Sequence, residues 1–303
     1  MKPKTVSLIQ LNLAVLMWGL TAMFSKGIRW PTTAIVGGRS LAAVGALVAL
    51  VMVAKGALRL RRRADYGVML VLGVLMGAHW LTYFQALKIA PAAVAILSLH
   101  TYPVLTALVE PFVFRERLRV FDLFLAAGVF GGVVIMTPEL SLSNEVTLGI
   151  LLGVASGVFF MLRNLITRTY VKPYSSSTLM LWQVLVIGAL LLPMLIPGVQ
   201  EAVADGLHLP ATFAGTVDYS PRTLGLTVLL GVVFTAVPQV LHTASFRHLS
   251  GKTVGILATL LPFYGGFWDY VFNNEVPSGR TVIGGLIILA CVLTETMRSI
   301  NRA

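Results

Sequence analysis

An apolar run of about 20 residues is long enough to carry a helix across ~30 Å of hydrocarbon, and this chain contains ten of them. They lie near 7–28, 32–54, 66–87, 93–114, 119–137, 147–169, 178–197, 223–246, 253–272 and 279–297. Lipid offers no partner to a backbone N–H or C=O, so such runs can cross only as helices that satisfy themselves. With 57% of its 303 residues hydrophobic and 12% charged, the chain carries more apolar surface than a soluble core of that size hides. The expected fold is an all-α integral membrane protein with ten transmembrane helices. Met1 to Gly27 begins like a signal peptide, but its apolar run is long enough to span, its cleavage pattern is poor and more spans follow. It is read as a retained first helix.

The net charge of +11 is explained by where the basic residues sit. Sixteen of them fall on the side of the two termini, after even-numbered spans, and five on the other side. That excess predicts a multi-pass protein of the cytoplasmic (inner) membrane with both termini cytoplasmic. No basic stripe with interleaved aromatics occurs, so nucleic acid is set aside, leaving membrane lipid and a small-molecule substrate as partners. The one long non-spanning piece, about 198–221, falls outside and is read as a short surface helix and loop. Cys291, the lone cysteine, can make no internal disulfide and reads as a small buried hydrophobe. No metal site and no other cofactor are expected. HExxH, GxxxxGK[ST] and GxSxG are missing, so neither enzyme chemistry nor ATP bound to this chain is expected. Gly128, Gly131 and Gly132 in the fifth run, and Gly149, Gly153 and Gly157 in the sixth, read as close helix packing.

The chain also repeats itself. A shift of 159 residues carries Val94–Glu116 onto Thr253–Glu275, laying Pro103 on Pro262, Glu110 on Asp269 and Glu116 on Glu275. Trp18 to Lys26 has the spacing of Phe160 to Arg168, and GVLMG at 73–77 resembles GVVFT at 231–235. Each half, 1–140 and 141–303, then carries five spans within one structural unit. An odd number of spans turns the second copy upside down, so the halves form two inverted five-helix repeats, an arrangement suited to alternating access.

WGLTAMFSKG (18–27), GGRSLAA (37–43), FQALKIAPAAVAIL (84–97) with the following Pro103, FRERL (114–118) and PFYGGFWDYVFNNEVPSGRTVIGG (262–285) together resemble the drug/metabolite transporter (DMT) superfamily, and within it the EamA-type ten-helix bacterial metabolite exporters. The resemblance covers nearly the whole chain. It implies a transporter of small organic solutes, often amino acids or related metabolites, with its site between the repeats. Two departures stand out. Phe160 occupies a position where tryptophan is usual, and Arg163-Asn164 makes the sixth run unusually polar, for a particular solute or for a local structural pairing.

Charges at bilayer depth need a partner or a water-filled space, which singles out Arg39, Glu110, Arg163 and Asp269. By depth, Arg39 matches Asp269 near the outer face and Glu110 matches Arg163 near the inner face. The two pairs are candidate alternating gates, with static charge compensation or snorkelling as the plainer alternative. Candidate substrate-binding residues are Trp18, His79, Trp80, Tyr83, His100, Trp182, Gln183, Gln239, His242, Tyr264 and Trp268, flat walls with a few donors. Packing is the alternative for each aromatic, and Trp30 is read as interfacial belt. Pro103, Pro238 and Pro262 predict helix kinks, at a pore or for packing.

The function expected is a secondary transporter that exports a small polar metabolite, an amino acid or related compound with aromatic ones included, by alternating access. A coupled proton on His79, His100 or His242 is a candidate drive. An organic cation, transport in the import direction, a passive channel and an intramembrane lipid-modifying enzyme are the alternatives; inverted symmetry argues against the last, since catalysis does not need it.

Overall fold

The computed structural model describes residues 2–114, 118–170, 174–206, 215–245, 248–249 and 257–301. Among these residues the secondary structure is helical, with no β-strand. In chain order the helices are α1 (Pro3–Lys26), α2 (Thr32–Val53), α3 (Arg63–Ile89), α4 (Ala92–Leu99), α5 (Tyr102–Phe114), α6 (Val120–Met136), α7 (Glu145–Tyr170), α8 (Ser176–Leu191), α9 (Val199–Gly206), α10 (Pro221–Gly231), α11 (Val237–Ser245), α12 (Leu261–Asn273) and α13 (Gly279–Asn301). Six helical stretches are long and apolar enough to cross a membrane: Thr32–Val53, Arg63–Ile89, Ala92–Val113, Glu145–Thr167, Ser177–Leu195 and Pro221–His242. The first and last expected spans coincide with α1 and α13. The ninth, expected over 253–272, is described only from residue 257.

Large apolar side chains face outward in helical register, as lipid-facing ones do. On α6 these include Phe121, Phe124 and Phe130, and on α12 Phe263, Phe267 and Tyr270. A soluble monomer rarely leaves such faces open. Helix ends follow local chemistry. Ser175 and Ser220 accept from the N–H groups of Thr178 and Thr223 at 3.2 and 3.4 Å, capping α8 and α10, and Pro221 opens α10 where its missing N–H costs nothing. Asn144 caps α7 by accepting from Val146 and Thr147 at 3.1 Å each.

Packing joins the first half of the chain to the second. α1 lies on α11 and α12, α7 on α3, α4 and α5, α2 on α8, and α6 on α13. The glycines of α7 permit close approaches on its side of the fold. A Cβ at Gly149 would stand 2.4 Å from Ala90 Cβ, and one at Gly153 would stand 2.6 Å from Ser98 Cβ.

The three prolines mark real interruptions. α4 stops at Leu99, His100 and Thr101 form a turn, and Pro103 is the second residue of α5. Thr259 and Leu260 form the matching turn, and Pro262 is the second residue of α12. Ahead of Pro238 the chain widens into a π-helical turn, Val232–Ala236, which relieves the clash between the proline ring and the carbonyl one turn earlier.

The connection between α8 and α10 contains the short helix α9 as expected; residues 207–214 of the expected loop lie outside the described residues. Trp30 departs from expectation. It is 2% exposed and donates its indole N–H to Asp218 O at 2.7 Å, so this loop covers it and it is no interfacial belt. The Asp218 side chain accepts from Thr223 Oγ1 and Ser220 Oγ, each at 2.7 Å, and from Ser220 N–H at 2.9 Å. These bonds, that from Thr223 first, hold its carboxyl below the usual range.

Candidate functional site

The two proline breaks face each other across an internal cavity of about 110 Å³, room for several waters or a small organic molecule. α1 supplies Trp18 and Thr21, α2 Arg39, α3 His79, Trp80, Tyr83 and Phe84, and α7 Phe160. The first break adds Leu99, His100 and Tyr102. The π-turn and α11 add Thr235, Gln239 and His242, and the second break adds Ala258 and Leu261.

His100 spans the breaks. Its Nδ1 lies 2.9 Å from Ile96 O, a carbonyl of its own helix, and its Nε2 lies 3.1 Å from Ala258 O in the opposite break. Beside it, Thr101 Oγ1 donates to Ser98 O at 2.9 Å. The side chains of His100 and Thr101 thus add second bonds to Ile96 O and Ser98 O, which also accept the N–H groups of His100 and Thr101 at 3.0 and 3.3 Å.

His79 ties α3 to α7. Ser156 Oγ donates to His79 O at 3.0 Å. Its single proton is then committed, so His79 Nδ1–H is the donor in the 2.7 Å contact with Ser156 Oγ. The His79 ring lies 4.8 Å from that of Phe160, which stands edge-on to Tyr102 at 5.0 Å. Trp18 and His242 meet across α1 and α11 at 5.1 Å.

Arg39 enters from α2, 3% exposed. Its Nε and Nη2 both donate to Thr235 Oγ1, at 3.0 and 2.6 Å, and its Cζ stands 4.4 and 4.5 Å from the ring centroids of Trp80 and Phe84. The π-turn orients Thr235, whose hydroxyl donates to Leu230 O at 2.7 Å. Gly231 lets α10 approach the α2 backbone, for a Cβ there would stand 2.4 Å from Arg39 O.

The cavity therefore gathers Trp18, Arg39, His79, Trp80, Tyr83, His100, Gln239 and His242 from the residues singled out in the sequence. Four others lie elsewhere. Trp182 donates to Leu58 O at 3.0 Å and packs edge-on against Tyr66 at 4.9 Å. Gln183 is buried but serves Arg163. Tyr264 packs beside Leu11 and Val15, and Trp268 lies against Phe267 and Phe272. Thr235, Tyr102 and Phe84 were missed as candidates.

Arg39 and Asp269, matched by depth, bond to other partners in this conformation. Arg39 is held by Thr235, whereas Asp269 accepts from Ala92 N–H at 2.9 Å and Asn273 Nδ2 at 2.6 Å. The carboxylate meets the first residue of α4, where backbone donors have no intrahelical partner. Arg163 donates from Nε to Gln183 Oε1 at 2.9 Å and from Nη1 to Asn164 Oδ1 at 3.0 Å, so the two polar residues of the sixth run are bonded to one another. The side chain of Glu110 lies outside the described residues.

The model of the EamA-like transporter family matches residues 6–137 and 147–294. A pseudopaline exporter of Pseudomonas aeruginosa is 27% identical over 264 residues, covering 86% of this chain and 85% of the exporter. A probable amino-acid metabolite efflux pump of Escherichia coli is 25% identical over 286 residues, covering 91% and 90%. Among solved structures, one crystal structure superposes with a TM-score of 0.62 at 20% identity, covering 97% of this chain and 98% of the other.

Proposed function

This chain belongs to the EamA-like transporter family, and from that premise we propose that it is a secondary transporter exporting an amino acid or related small metabolite by alternating access. The observation that carries this reading is the meeting of two proline breaks, 159 residues apart in sequence, around one cavity, with His100 bonded across them. Broken helices at mid-membrane are where transporters bind solute, because irregular backbone is tolerated only beside a cavity or protein. Relatives named as an exporter and an efflux pump support the outward direction. The excess of basic residues on the terminal side supports cytoplasmic termini in the inner membrane.

The halves, 1–140 and 141–303, act as two inverted five-helix repeats that rock about the breaks. Packing supports this: α1 on α11 and α12 has its counterpart in α7 on α3 and α5, while α2–α8 and α6–α13 map onto themselves. In the other state Arg39 and Asp269, and Glu110 and Arg163, are the candidate gate pairs.

A proton on His100 is the coupling ion. A neutral imidazole carries one N–H, and His100 places both ring nitrogens against carbonyl oxygens. Both contacts are hydrogen bonds only in the imidazolium. The other ionisable side chains around the cavity, among the described residues, are Arg39, His79, Tyr83, Tyr102 and His242.

Purified protein in liposomes tests the proposal. Counterflow of labelled amino acids is expected to saturate, and an inward-directed proton gradient is expected to accelerate export. His100→Gln should keep exchange and lose the acceleration. Flux that rises without saturation would make the protein a channel, and indifference of the wild type to pH would remove the proton.

A further inference from the structure

Arg39 ends in the cavity with more donors than the protein uses. A guanidinium has five N–H groups; Nε and Nη2 share the one hydroxyl of Thr235, and Nη1 is buried without a hydrogen-bond partner. Thr235 cannot rotate to offer more, since its proton is engaged by Leu230 O. Trp80 and Phe84 lie against the guanidinium. What remains is the end of the fork formed by Nη1 and the second N–H of Nη2.

No carboxylate answers this charge among the described lining residues. Asp269 is committed to the start of α4. Glu110 stands eight residues beyond Tyr102 on α5, about 12 Å along the axis at ~1.5 Å per residue. A cation at this depth marks a functional group, and its complement is an anion brought by the solute.

We propose that the free end of Arg39 is the anion-recognition group of the cavity, and that the solute is a small, flat molecule whose carboxylate binds there while its apolar body lies against Trp18, Tyr83, Tyr102 and Phe160. The planar fork matches the two oxygens of a carboxylate, and the aromatic wall takes a ring or unsaturated chain. The same field excludes organic cations. This rests on the reading of the cavity as the solute site and narrows it to one charge class.

The test uses the full chain in detergent with three probes of one shape, benzoate, benzamide and benzamidinium, each titrated against melting temperature. Benzoate is expected to saturate, with the other two weaker by at least about tenfold, the loss of a hydrogen bond to a charged group. Arg39→Gln should abolish that preference. Thr235→Val, which keeps the charge but frees its anchor, should weaken benzoate by a smaller factor; if Arg39→Gln does not fold, this variant and the wild-type selectivity carry the test. Benzamide binding as tightly as benzoate, no saturation by benzoate, or a preference that survives Arg39→Gln overturns the proposal. Liposome counterflow separates it from the transport reading: flux of neutral or cationic solutes without carboxylate preference sinks the anion site alone. Benzoate binding without flux of any solute sinks transport alone.

Discussion

Arg163 is a half-buried cation whose described partners are neutral, Gln183 and Asn164. Gln183 is itself fully buried and turns its amide to Leu179 O at 3.0 Å. Removing its oxygen leaves a charged donor unsatisfied, a cost of about 1–3 kcal/mol. Replacing both partners with apolar groups avoids that penalty. Gln183→Leu is therefore expected to lower the melting temperature, and Arg163→Met with Gln183→Leu to recover most of the loss. Strictly additive losses would show that the pair has no structural role. Much of the cavity was legible at this scale because Arg39, His79, His100, Gln239 and His242 are polar groups in apolar runs, where lipid leaves few reasons for them. Thr235 was not, because a helical threonine ordinarily bonds its own preceding turn, and only the π-turn aims it at Arg39. Arg39 and Asp269 bond elsewhere in this conformation for a related reason: depth fixes height along a helix but not which face a side chain takes.

At the scale of elements, the all-helical fold and the breaks near Pro103, Pro238 and Pro262 were legible from apolar length and proline, but which glycines make contacts was not. All six glycines of the fifth and sixth runs looked alike. In the structure Gly131 has no atom within 4 Å of a built Cβ, while Gly153 would meet Ser98 Cβ at 2.6 Å and Ala95 O at 3.0 Å. Spacing of four selects one helix face; only the partner's position tells whether that face is covered. Gly153→Ala should force α7 from α4 and cost about 1–3 kcal/mol of overpacking. Gly131→Ala, on open α6 surface, should be neutral or slightly stabilising. Equal melting temperatures for the two variants would mean that α7 and α4 do not pack this closely. That contact matters to the cavity, since Gly157, one turn further, lies against Leu99 and Tyr102 of the first break.

For the whole molecule, the 159-residue shift makes a demand on α6 and α13, which begin at Val120 and Gly279, 159 residues apart. If the halves are related by a twofold axis, each contact across this pair must recur with the roles exchanged. Gly128 faces Cys291, a built Cβ standing 2.7 Å from its Sγ; exchanging the halves turns that pair into Gly132 facing Ile287, and a Cβ at Gly132 indeed stands 3.5 Å from Ile287 Cγ2. Gly132 and Gly284 also bring their backbones together, each Cβ position lying 2.8 or 2.4 Å from the other's carbonyl oxygen. Such a seam leaves little freedom to slide, so the halves should rock with α6 and α13 held together while the cavity opens elsewhere. Cys291 makes this testable without removing any other cysteine. Gly128→Cys places a second thiol within bonding reach of the first, and mild oxidation is expected to close an intramolecular disulfide, seen as a reducible shift in gel mobility. Counterflow should then run at close to the reduced rate. Failure of the bond to form would contradict the seam. A bond that forms and arrests transport would show that α6 and α13 move past one another during the cycle, and the rocking would need a different axis.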